Sequence, residues 1–238
     1  MVPKNLIKLV VSLKQKKCRT RHGLFVAEGE KMVGELLGAG ISPHTIFVDG
    51  KLEPVDLGKV ELVDGEALKA MSSLKHPNGV LGVFHMPKRE VVEEGDWVLA
   101  LDAVRDPGNL GTIIRLCDWF GISQMVCSPD TVDCYNPKVL QATMGSIARV
   151  GIRYTDLAEY LDRTPLPVFA AYMDGIPVQG KEFPKRGLLL MGNEAHGISP
   201  DLQRSIQQRI TIPQFGGQSA ESLNVATATA ILLHEIRR

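Results

Sequence analysis

The sequence predicts an α/β protein with two domains, in which a mostly parallel sheet covered by helices follows a smaller α/β domain. The length of 238 residues suits one large domain or two small ones. Short apolar, strand-like runs alternate with helix-like segments along the second half of the chain, at a spacing typical of parallel sheets. Residues 87–96 are polar and charged and include Pro87 and Gly95, so they are predicted to link a first domain at 1–86 to a second at 97–238.

The first domain is predicted from short apolar runs and from residues that start or stop helices. An apolar and basic pattern at the N-terminus indicates an amphipathic helix. Gly38 ends a second helix, Asp64 is suited to cap a third, and Pro77-Asn78-Gly79 is a turn signal before the last strand. In chain order the predicted elements are a helix over 3–14, a strand at 24–27, a helix over 29–37, strands at 46–48 and 60–63, a helix over 64–71 and a strand at 80–84.

The second domain is predicted from apolar runs of four or five residues, which are typical of strands buried on both faces of a sheet. It begins with a strand at 97–101, and the later strands are predicted at 124–127, 151–154, 168–172, 188–191 and 209–212. The helical segments between and after them are predicted near 109–120, 137–148, 155–162, 199–207 and 222–238. The last helix carries a small, apolar surface that is suited either to the core or to a dimer interface.

Composition excludes several classes of protein. A hydrophobic content of 44% and a charged content of 23% are typical of globular proteins, and no apolar run reaches the length of a membrane-spanning helix. The N-terminal residues lack a long apolar stretch with a cleavage site, so no signal peptide is expected. The four cysteines show no CxxC spacing, so neither a metal site nor a disulfide framework is predicted, and a cytoplasmic location is expected.

The net charge of zero hides a basic N-terminal segment. Eight lysines and arginines lie within the first 31 residues, opposed there by Glu28 and Glu30. Such a segment fits a contact with a polyanion, with RNA as the leading candidate, although a solvated helix face explains the same pattern. The neutral total argues against a protein that coats nucleic acid through charge alone.

Three polar segments in the second domain each follow a predicted strand. They are residues 106–115, 191–198 and 212–226, and each carries glycine, proline or asparagine. Because open α/β sheets bind ligands beyond the carboxyl ends of their strands, the three segments predict one converging pocket. The sequence contains no GxGxxG or GxxxxGK[ST] motif, so the common nucleotide-binding folds are not supported.

Individual side chains in these segments leave alternatives open. Asn109 is suited to cap a helix or to bind a ligand. Arg115 has apolar sequence neighbours and is expected to need a partner, which is either a structural carboxylate or a phosphate or sugar. Glu194 either binds a ligand or caps a helix that starts near Ser199, and His196 in the same loop is a candidate acid or base that is equally suited to be solvated.

The third segment is expected to open the last helix. Ser222 is predicted to cap it, which would place Asn224 in its first turn, and a helix N-terminus with such side chains suits a polar or anionic ligand.

Together the three segments resemble the motifs of the SpoU (TrmH-like) family of RNA ribose methyltransferases, within the SPOUT superfamily. The run from Pro107 to Arg115 resembles the first family motif, Met191 to Gly197 the second, and Ile212 to Ala226 the third. This resemblance covers the whole second domain, and three ordered motifs are far more specific than any one of them. Residues 136–138 with 144–146 also resemble a family segment.

The first domain resembles the family's ribosomal-protein-like substrate-binding module, most clearly at residues 25–31. Two departures from the family pattern stand out. The stretch between Pro213 and Ser222 is slightly longer than in the shortest members, and Gln141 stands where many relatives carry a basic residue.

The resemblance implies a parallel sheet whose C-terminal chain forms a deep trefoil knot, a feature otherwise nearly absent from proteins. It also implies S-adenosylmethionine as cofactor, RNA as substrate and a homodimer formed with the last helix. The cofactor-binding residues it implies are Gly192, Ile212 and Leu223, which act largely through backbone groups, together with Met191 and Pro213. The catalytic residues it implies are Asn109, Arg115, Glu194, Ser222 and Asn224.

The function expected from the resemblance is methyl transfer to a ribose 2′-hydroxyl. Ribosomal RNA of the large subunit is favoured as substrate, because tRNA-directed relatives often lack a module like the one at 1–86. A tRNA 2′-O-methyltransferase and a non-catalytic RNA- and cofactor-binding protein of the same fold stay open as alternatives. A nucleotide-dependent oxidoreductase is disfavoured, because the dinucleotide motif is missing.

Overall fold

A computed structural model describes residues 2–50, 60–87, 96–216 and 221–238 of the chain. They form two compact units. The first contains the described residues before position 88 together with residues 133–148, and the second contains 96–132 and 149–238. The segment 133–148 lies in the predicted second domain by sequence but packs with the first unit. Most of the predicted linker, residues 88–95, lies outside the described residues.

The first unit is built on a four-stranded sheet with the order β1-β4-β2-β3. The strands are β1 (Leu24–Glu28), β2 (Pro43–Asp49), β3 (Val60–Val63) and β4 (Val80–His85). β4 pairs antiparallel with β1 and β2, and β2 pairs parallel with β3. The helices are α1 (Lys4–Ser12), α2 (Lys16–His22), α3 (Glu30–Gly38), α4 (Gly65–Met71) and α6 (Pro137–Thr143).

The helices of this unit differ from the prediction in two places. The single helix expected over 3–14 ends at Ser12, and a second, wholly polar and basic helix follows at Lys16–His22. The helix expected over 137–148 stops at Thr143 because Met144 takes a left-handed conformation (φ 51°), and a short 3₁₀ helix follows at Ser146–Ala148. Asp64 caps α4 as predicted, since its side chain accepts a hydrogen bond from the Ala67 N–H.

A buried ion pair joins the segment 133–148 to the N-terminal helices of the same unit. Arg19 is 2% exposed, and its guanidinium donates to the Asp133 carboxylate and, at 2.9 Å, to the carbonyl oxygens of Leu13 and Lys14. Removing one partner of such a pair leaves a buried charge without compensation, so the pair specifies where residue 133 lies within this unit.

The second unit contains a six-stranded parallel sheet with the order β10-β8-β9-β5-β6-β7. Its strands are β5 (Trp97–Leu101), β6 (Gln124–Cys127), β7 (Gly151–Tyr154), β8 (Val168–Pro177), β9 (Gly187–Met191) and β10 (Gln208–Thr211). Its helices are α5 (Pro107–Trp119), α7 (Leu157–Arg163) and α8 (Val225–Arg237), with a 3₁₀ helix at Pro200–Ser205. The parallel sheet confirms the predicted α/β class. β5 and β9 are buried along their whole length, as continuous apolar strands require.

Two elements of this unit also differ from the prediction. The segment expected to be a helix over 199–207 forms the 3₁₀ helix instead. β8 is twice as long as expected. Its pairing with β10 is irregular, because Arg209 pairs with Ala170 whereas the next residue, Ile210, pairs with Ile176. This irregularity sends residues 171–173 out of the regular ladder, toward the site described below. None of the helices in the described ranges is long and apolar enough to cross a membrane.

Candidate functional site

The loops that follow β5 and β9 are tied together at the carboxyl edge of the parallel sheet. The Asp102 N–H donates to the Met191 carbonyl oxygen at 2.9 Å, and Asn193 Nδ2 donates to the Ala103 carbonyl oxygen at 2.7 Å. Asp102 is 5% exposed, and its Oδ2 accepts a hydrogen bond from the Ser199 N–H at 2.7 Å. The ends of two neighbouring strands are therefore locked in place by backbone and side-chain bonds.

The loop after β9 folds back on itself through Asn193. The backbone groups of Asn193 and Gly197 exchange two hydrogen bonds of 2.9 Å, and Asn193 Oδ1 accepts from the N–H groups of Ala195 and His196. Glycine at 192 is required by this turn, because a Cβ there would lie 2.4 Å from the carbonyl carbon of Gly197. The close approach of another stretch of backbone therefore requires this glycine within the protein itself, and its contact with a ligand stays a prediction.

A chain of side-chain amides links all three segments. Asn224 Oδ1 caps α8 by accepting from the N–H groups of Ala226 and Thr227, and its Nδ2 donates to Asn109 Oδ1 at 2.9 Å. Asn109 Nδ2 in turn donates to Glu194 Oε1 at 2.7 Å. Each of the two amides is therefore held in one orientation by its neighbours. The chain begins at the positive N-terminal end of α8 and ends at the carboxylate of Glu194.

The caps of the two helices at this site are Asp106 and Asn224. Asp106 Oδ1 accepts from the Asn109 N–H at 2.8 Å, which leaves the Asn109 side chain free of the capping role and available to the amide chain. The prediction that Ser222 caps the last helix is wrong, because the helix begins at Val225 and Asn224 is its cap. The alternative in which Glu194 caps a helix near Ser199 is also wrong, since Glu194 accepts from Asn109 and the 3₁₀ helix there has no side-chain cap.

A cavity of about 360 Å³ opens between the ends of β8, β9 and β10 and the start of α8. Its walls are mostly apolar, and Glu194 is the one charged residue among the described residues that line it. All five residues predicted to bind the cofactor line this cavity: Met191, Gly192, Ile212, Pro213 and Leu223. Glu194 and Ser222 line it as well, and Asn109 and Asn224 reach it through the amide chain.

Arg115 lies outside the amide chain. It is on α5, six residues after Asn109, which is about 9 Å along the helix axis. Its side chain is exposed and forms no hydrogen bond or ion pair with the described part of the chain, so the structural carboxylate is not found there, and the phosphate or sugar partner stays a prediction. Its guanidinium donors are therefore available to a molecule from outside.

Three further residues near the site remain to be placed, one of them predicted from the sequence and two of them not. His196 is exposed in the loop after β9, where its backbone N–H is bound by Asn193. The residues that sequence reasoning missed are Asp102 and Ala103, which organise the site from the end of β5. An aspartate directly after five apolar residues is the signal that could have identified Asp102.

A second cluster holds α8 in place at its other end. Arg237 donates to both carboxylate oxygens of Asp96 at 2.9 Å, and to the carbonyl oxygens of Phe120 and Gly121 at 2.8 and 3.0 Å. The hydrogen bond from Arg237 holds the pKa of Asp96 below its usual value. Because α8 carries Asn224 at its start, this cluster supports the site from about 20 Å away along the helix.

A parallel sheet whose strand ends and loops converge on one apolar cavity defines a ligand-binding α/β protein. Residues 96–234 match the model of the SpoU rRNA methylase family, and residues 4–82 match that of the MRM3-like substrate binding domain. The first match spans more than half of the sequence, so the chain belongs to the SpoU rRNA methylase family.

Individual relatives are similar over nearly the whole chain. The 23S rRNA (guanosine(2553)-2′-O)-methyltransferase RlmP of Bacillus subtilis is 33% identical over 233 residues, which cover 94% of this chain and 93% of the relative. The solved structure of a TrmH-family protein from Porphyromonas gingivalis superposes with a TM-score of 0.89 at 35% identity, covering 100% of this chain and 98% of that one. The AdoMet-bound rRNA methyltransferase from Sinorhizobium meliloti superposes with a TM-score of 0.88 at 31% identity, covering 100% and 95%.

Proposed function

We propose that this protein transfers a methyl group from S-adenosylmethionine to a ribose 2′-hydroxyl of ribosomal RNA, with 23S rRNA of the large subunit as the target. The observation that carries the proposal is the cavity bounded by the three family motifs and joined by the chain from Asn224 through Asn109 to Glu194. The substrate choice is supported by the match to a substrate-binding domain and by the 23S rRNA methyltransferase that the chain resembles over its length.

The residues present fit this cofactor. A volume of about 360 Å³ is in the range of small-molecule sites, and apolar walls from Met191, Ile212 and Leu223 suit an adenosine. The single charged side chain of the described lining is the carboxylate of Glu194, which suits a cation and disfavours the phosphates of a dinucleotide. This charge argues further against a nucleotide-dependent oxidoreductase. When bound, S-adenosylmethionine supplies an electrophilic methyl group on a positively charged sulfur.

The protein must align the hydroxyl oxygen with that methyl group and help the hydroxyl to lose its proton. Alignment by Asn109, Ser222 and Asn224 can supply roughly 7–11 kcal/mol of the barrier in favourable cases. The amide chain fixes the orientation of both asparagines before substrate arrives, so little reorganisation accompanies the reaction.

Arg115 stabilises the alkoxide that develops as the proton leaves. A guanidinium is effectively always protonated and cannot accept that proton, so an RNA phosphate serves as acceptor while Arg115 donates hydrogen bonds. The absence of any described protein partner for its exposed side chain supports this role, since a structural ion pair would occupy the same donors.

The test is incubation of the purified protein with tritiated S-adenosylmethionine and total RNA from a strain that lacks this gene. We expect label in large-subunit rRNA with the wild-type protein, loss of label with Arg115→Ala, and full label with Arg163→Ala. Arg163 is a matched control because it is an exposed helical arginine of the same unit, paired with Glu159. Label in tRNA would overturn the substrate, and cofactor binding without label in any RNA or ribosomal subunit would support a non-catalytic binding protein.

We also propose a homodimer formed through α5 and α8. These helices pack against each other, and their outer faces carry Trp119, 83% exposed, and Ile231, 37% exposed. Apolar side chains of this size on adjacent helices favour burial by a second copy. Sedimentation of Trp119→Glu tests this, with a monomer expected for the variant and a dimer for the wild type; a monomeric wild type would refute it.

We infer in addition that the C-terminal chain is knotted. Two observations support this inference. β10 is the edge strand of the sheet, next to β8, whereas β5 lies two positions beyond β8 in the strand order. α8, which follows β10 in the chain, packs against α5, which follows β5. The chain after β10 must return across the ends of β8 and β9 to make that contact. An experimental structure that traces this return outside the loops, rather than through them, would refute the knot. The cytoplasmic location and the absence of a metal stay predictions from the sequence.

A further inference from the structure

We propose that Phe215 is a stacking platform for the nucleobase of the nucleotide that is methylated, or of its immediate neighbour in the RNA. The proposal rests on the function proposed above and adds a residue that positions the substrate. Phe215 lies within the third segment, residues 212–226, but neither the described cavity lining nor the amide chain includes it.

The first observation in favour of this role is the exposure of the Phe215 side chain. Phe215 is 90% exposed, more than any other large hydrophobic side chain in the described part of the protein. A phenyl ring kept in water forgoes the stabilisation that its burial would provide. A ring left in this position is suited to an apolar partner that arrives from outside.

The second observation is the position of Phe215 next to residues that line the cavity. Phe215 follows Pro213 and Gln214, both of which line the cavity, so its Cα is about 3.8 Å from that of a lining residue. Two further exposed apolar side chains, Met173 at 57% and Leu223 at 48%, belong to the lining itself. β8 and the segment 212–226 therefore place apolar groups at this opening or directly beside it, and we call these three side chains the apolar rim (Met173, Phe215, Leu223).

Charge at this opening favours a base over a phosphate as the partner of the rim. The charged residue of the described lining is the carboxylate of Glu194, which repels an RNA phosphate and leaves a neutral base unaffected. Cations suited to the RNA backbone lie outside the described lining, for example Arg115 on α5 and the basic residues of α1 and α2 in the first unit.

The chemistry of the reaction explains why a platform is needed. For its 2′-hydroxyl to enter the cavity, the target nucleotide must leave the stack of its neighbours, which costs unstacking free energy. An aromatic side chain at the opening replaces the lost stacking, and it does so for any base because every base has a π-face. The sequence of the RNA is then read elsewhere, while Phe215 holds the extruded base at the site.

Three variants test the proposal. Phe215→Ala removes the ring, Phe215→Leu keeps apolar bulk without a π-face, and Phe215→Tyr keeps the ring. Each is assayed for methyl transfer to unmodified 23S rRNA purified from the strain lacking this gene, for retention of that RNA on filters, and for cofactor affinity by calorimetry. Sedimentation is measured in parallel.

We expect the alanine and leucine variants to raise the KM and the dissociation constant for this RNA by roughly 5- to 150-fold, the range for one base stacked on an aromatic ring. The tyrosine variant is expected to match the wild type. The kcat should change less than the KM, because the ring contacts the base and not the reacting atoms. Cofactor affinity and sedimentation should not change.

Several results would overturn the proposal. A leucine variant equal to the wild type would show that apolar bulk suffices, weakened cofactor binding would place the ring over the adenine of the cofactor, and altered sedimentation would place it in a subunit interface. If the wild-type protein transfers no methyl group, the proposed function fails, but RNA retention still ranks the variants. A wild type that neither methylates nor retains the RNA overturns both.

Discussion

The side chain of Asn224 serves stability and catalysis through different atoms, so two substitutions should separate the two roles. Its Oδ1 caps α8, and its Nδ2 donates to Asn109. Asn224→Ala removes both functions. Asn224→Asp keeps an oxygen for the cap but replaces the donor by a second oxygen that faces Asn109 Oδ1.

The expected stability changes follow from these contacts. Loss of an N-cap costs about 0.5–2 kcal/mol, and loss of one further hydrogen bond about 0.5–1.5 kcal/mol. Asn224→Ala should therefore lower the free energy of unfolding by about 1–3.5 kcal/mol. Each kcal/mol lost should lower the Tm by about 2–4 °C. Asn224→Asp should stay close to the wild type, because a carboxylate at a helix N-terminus gains about 0.3–1 kcal/mol that offsets the lost donor.

The expected activity of Asn224→Asp is low despite its stability. If the Asn109 amide turns to donate to the carboxylate introduced at position 224, its own oxygen faces the carboxylate of Glu194, so one link of the chain is broken in either orientation. A displacement of 1 Å in a reacting geometry can lower the rate by about 10²-fold, so we expect kcat to fall about 10- to 100-fold in both variants.

The assays are thermal unfolding and single-turnover methyl transfer to unmodified 23S rRNA. Equal Tm values for Asn224→Ala and the wild type would refute the capping argument. A wild-type rate for Asn224→Asp would refute the argument that the amide chain orients the site.

Three further predictions concern packing and titration. Gly192→Ala places a Cβ 2.4 Å from the carbonyl carbon of Gly197, so we expect a loss of about 1–3 kcal/mol in unfolding and weaker cofactor binding by calorimetry; unchanged affinity would contradict this. Arg237 lowers the pKa of folded Asp96, so their bond stabilises the protein above the unfolded pKa of about 3.9 and is lost as pH falls through the folded pKa. Urea unfolding of Asp96→Asn should show a deficit of less than about 1 kcal/mol at pH 7, discounted because the carboxylate is half-exposed. This deficit should vanish once the pH falls below the folded pKa, and a deficit constant with pH would contradict the linkage. Burial raises the pKa of the Cys117 thiol, so an aromatic disulfide reagent should label it only after unfolding. Peptide mapping separates this label from that of the partly exposed Cys18, and rapid labelling of Cys117 in the native protein would show that α5 opens.

The strands of the parallel sheet were predictable because they are buried on both faces. Each of β5, β6 and β9 reads as a short continuous apolar run, and each begins and ends within one residue of the prediction. α2 was missed for the opposite reason. Its seven residues contain no apolar periodicity, and the helix is held by the tertiary contacts of Arg19.

The environment of Arg115 shows where reading neighbours in sequence fails. Ile113 and Ile114 are adjacent in the chain and buried, but Arg115 is turned by about 100° from Ile114 around the helix. The buried positions 110, 113, 114 and 117 follow the helical period, and this period could have identified residue 115 as exposed.

By itself, the sequence determined the α/β class, the three segments that form the site and the family to which they belong. Apolar runs, turn residues and motif spacing are local properties of the chain, and they require no knowledge of distant contacts. Only the tertiary structure decided that Asn224 and Asn109, 115 residues apart, are hydrogen-bonded, and that residues 133–148 pack with the first unit. Such pairings depend on the order of strands in the sheet, because that order sets which loops lie side by side, and no local pattern encodes it.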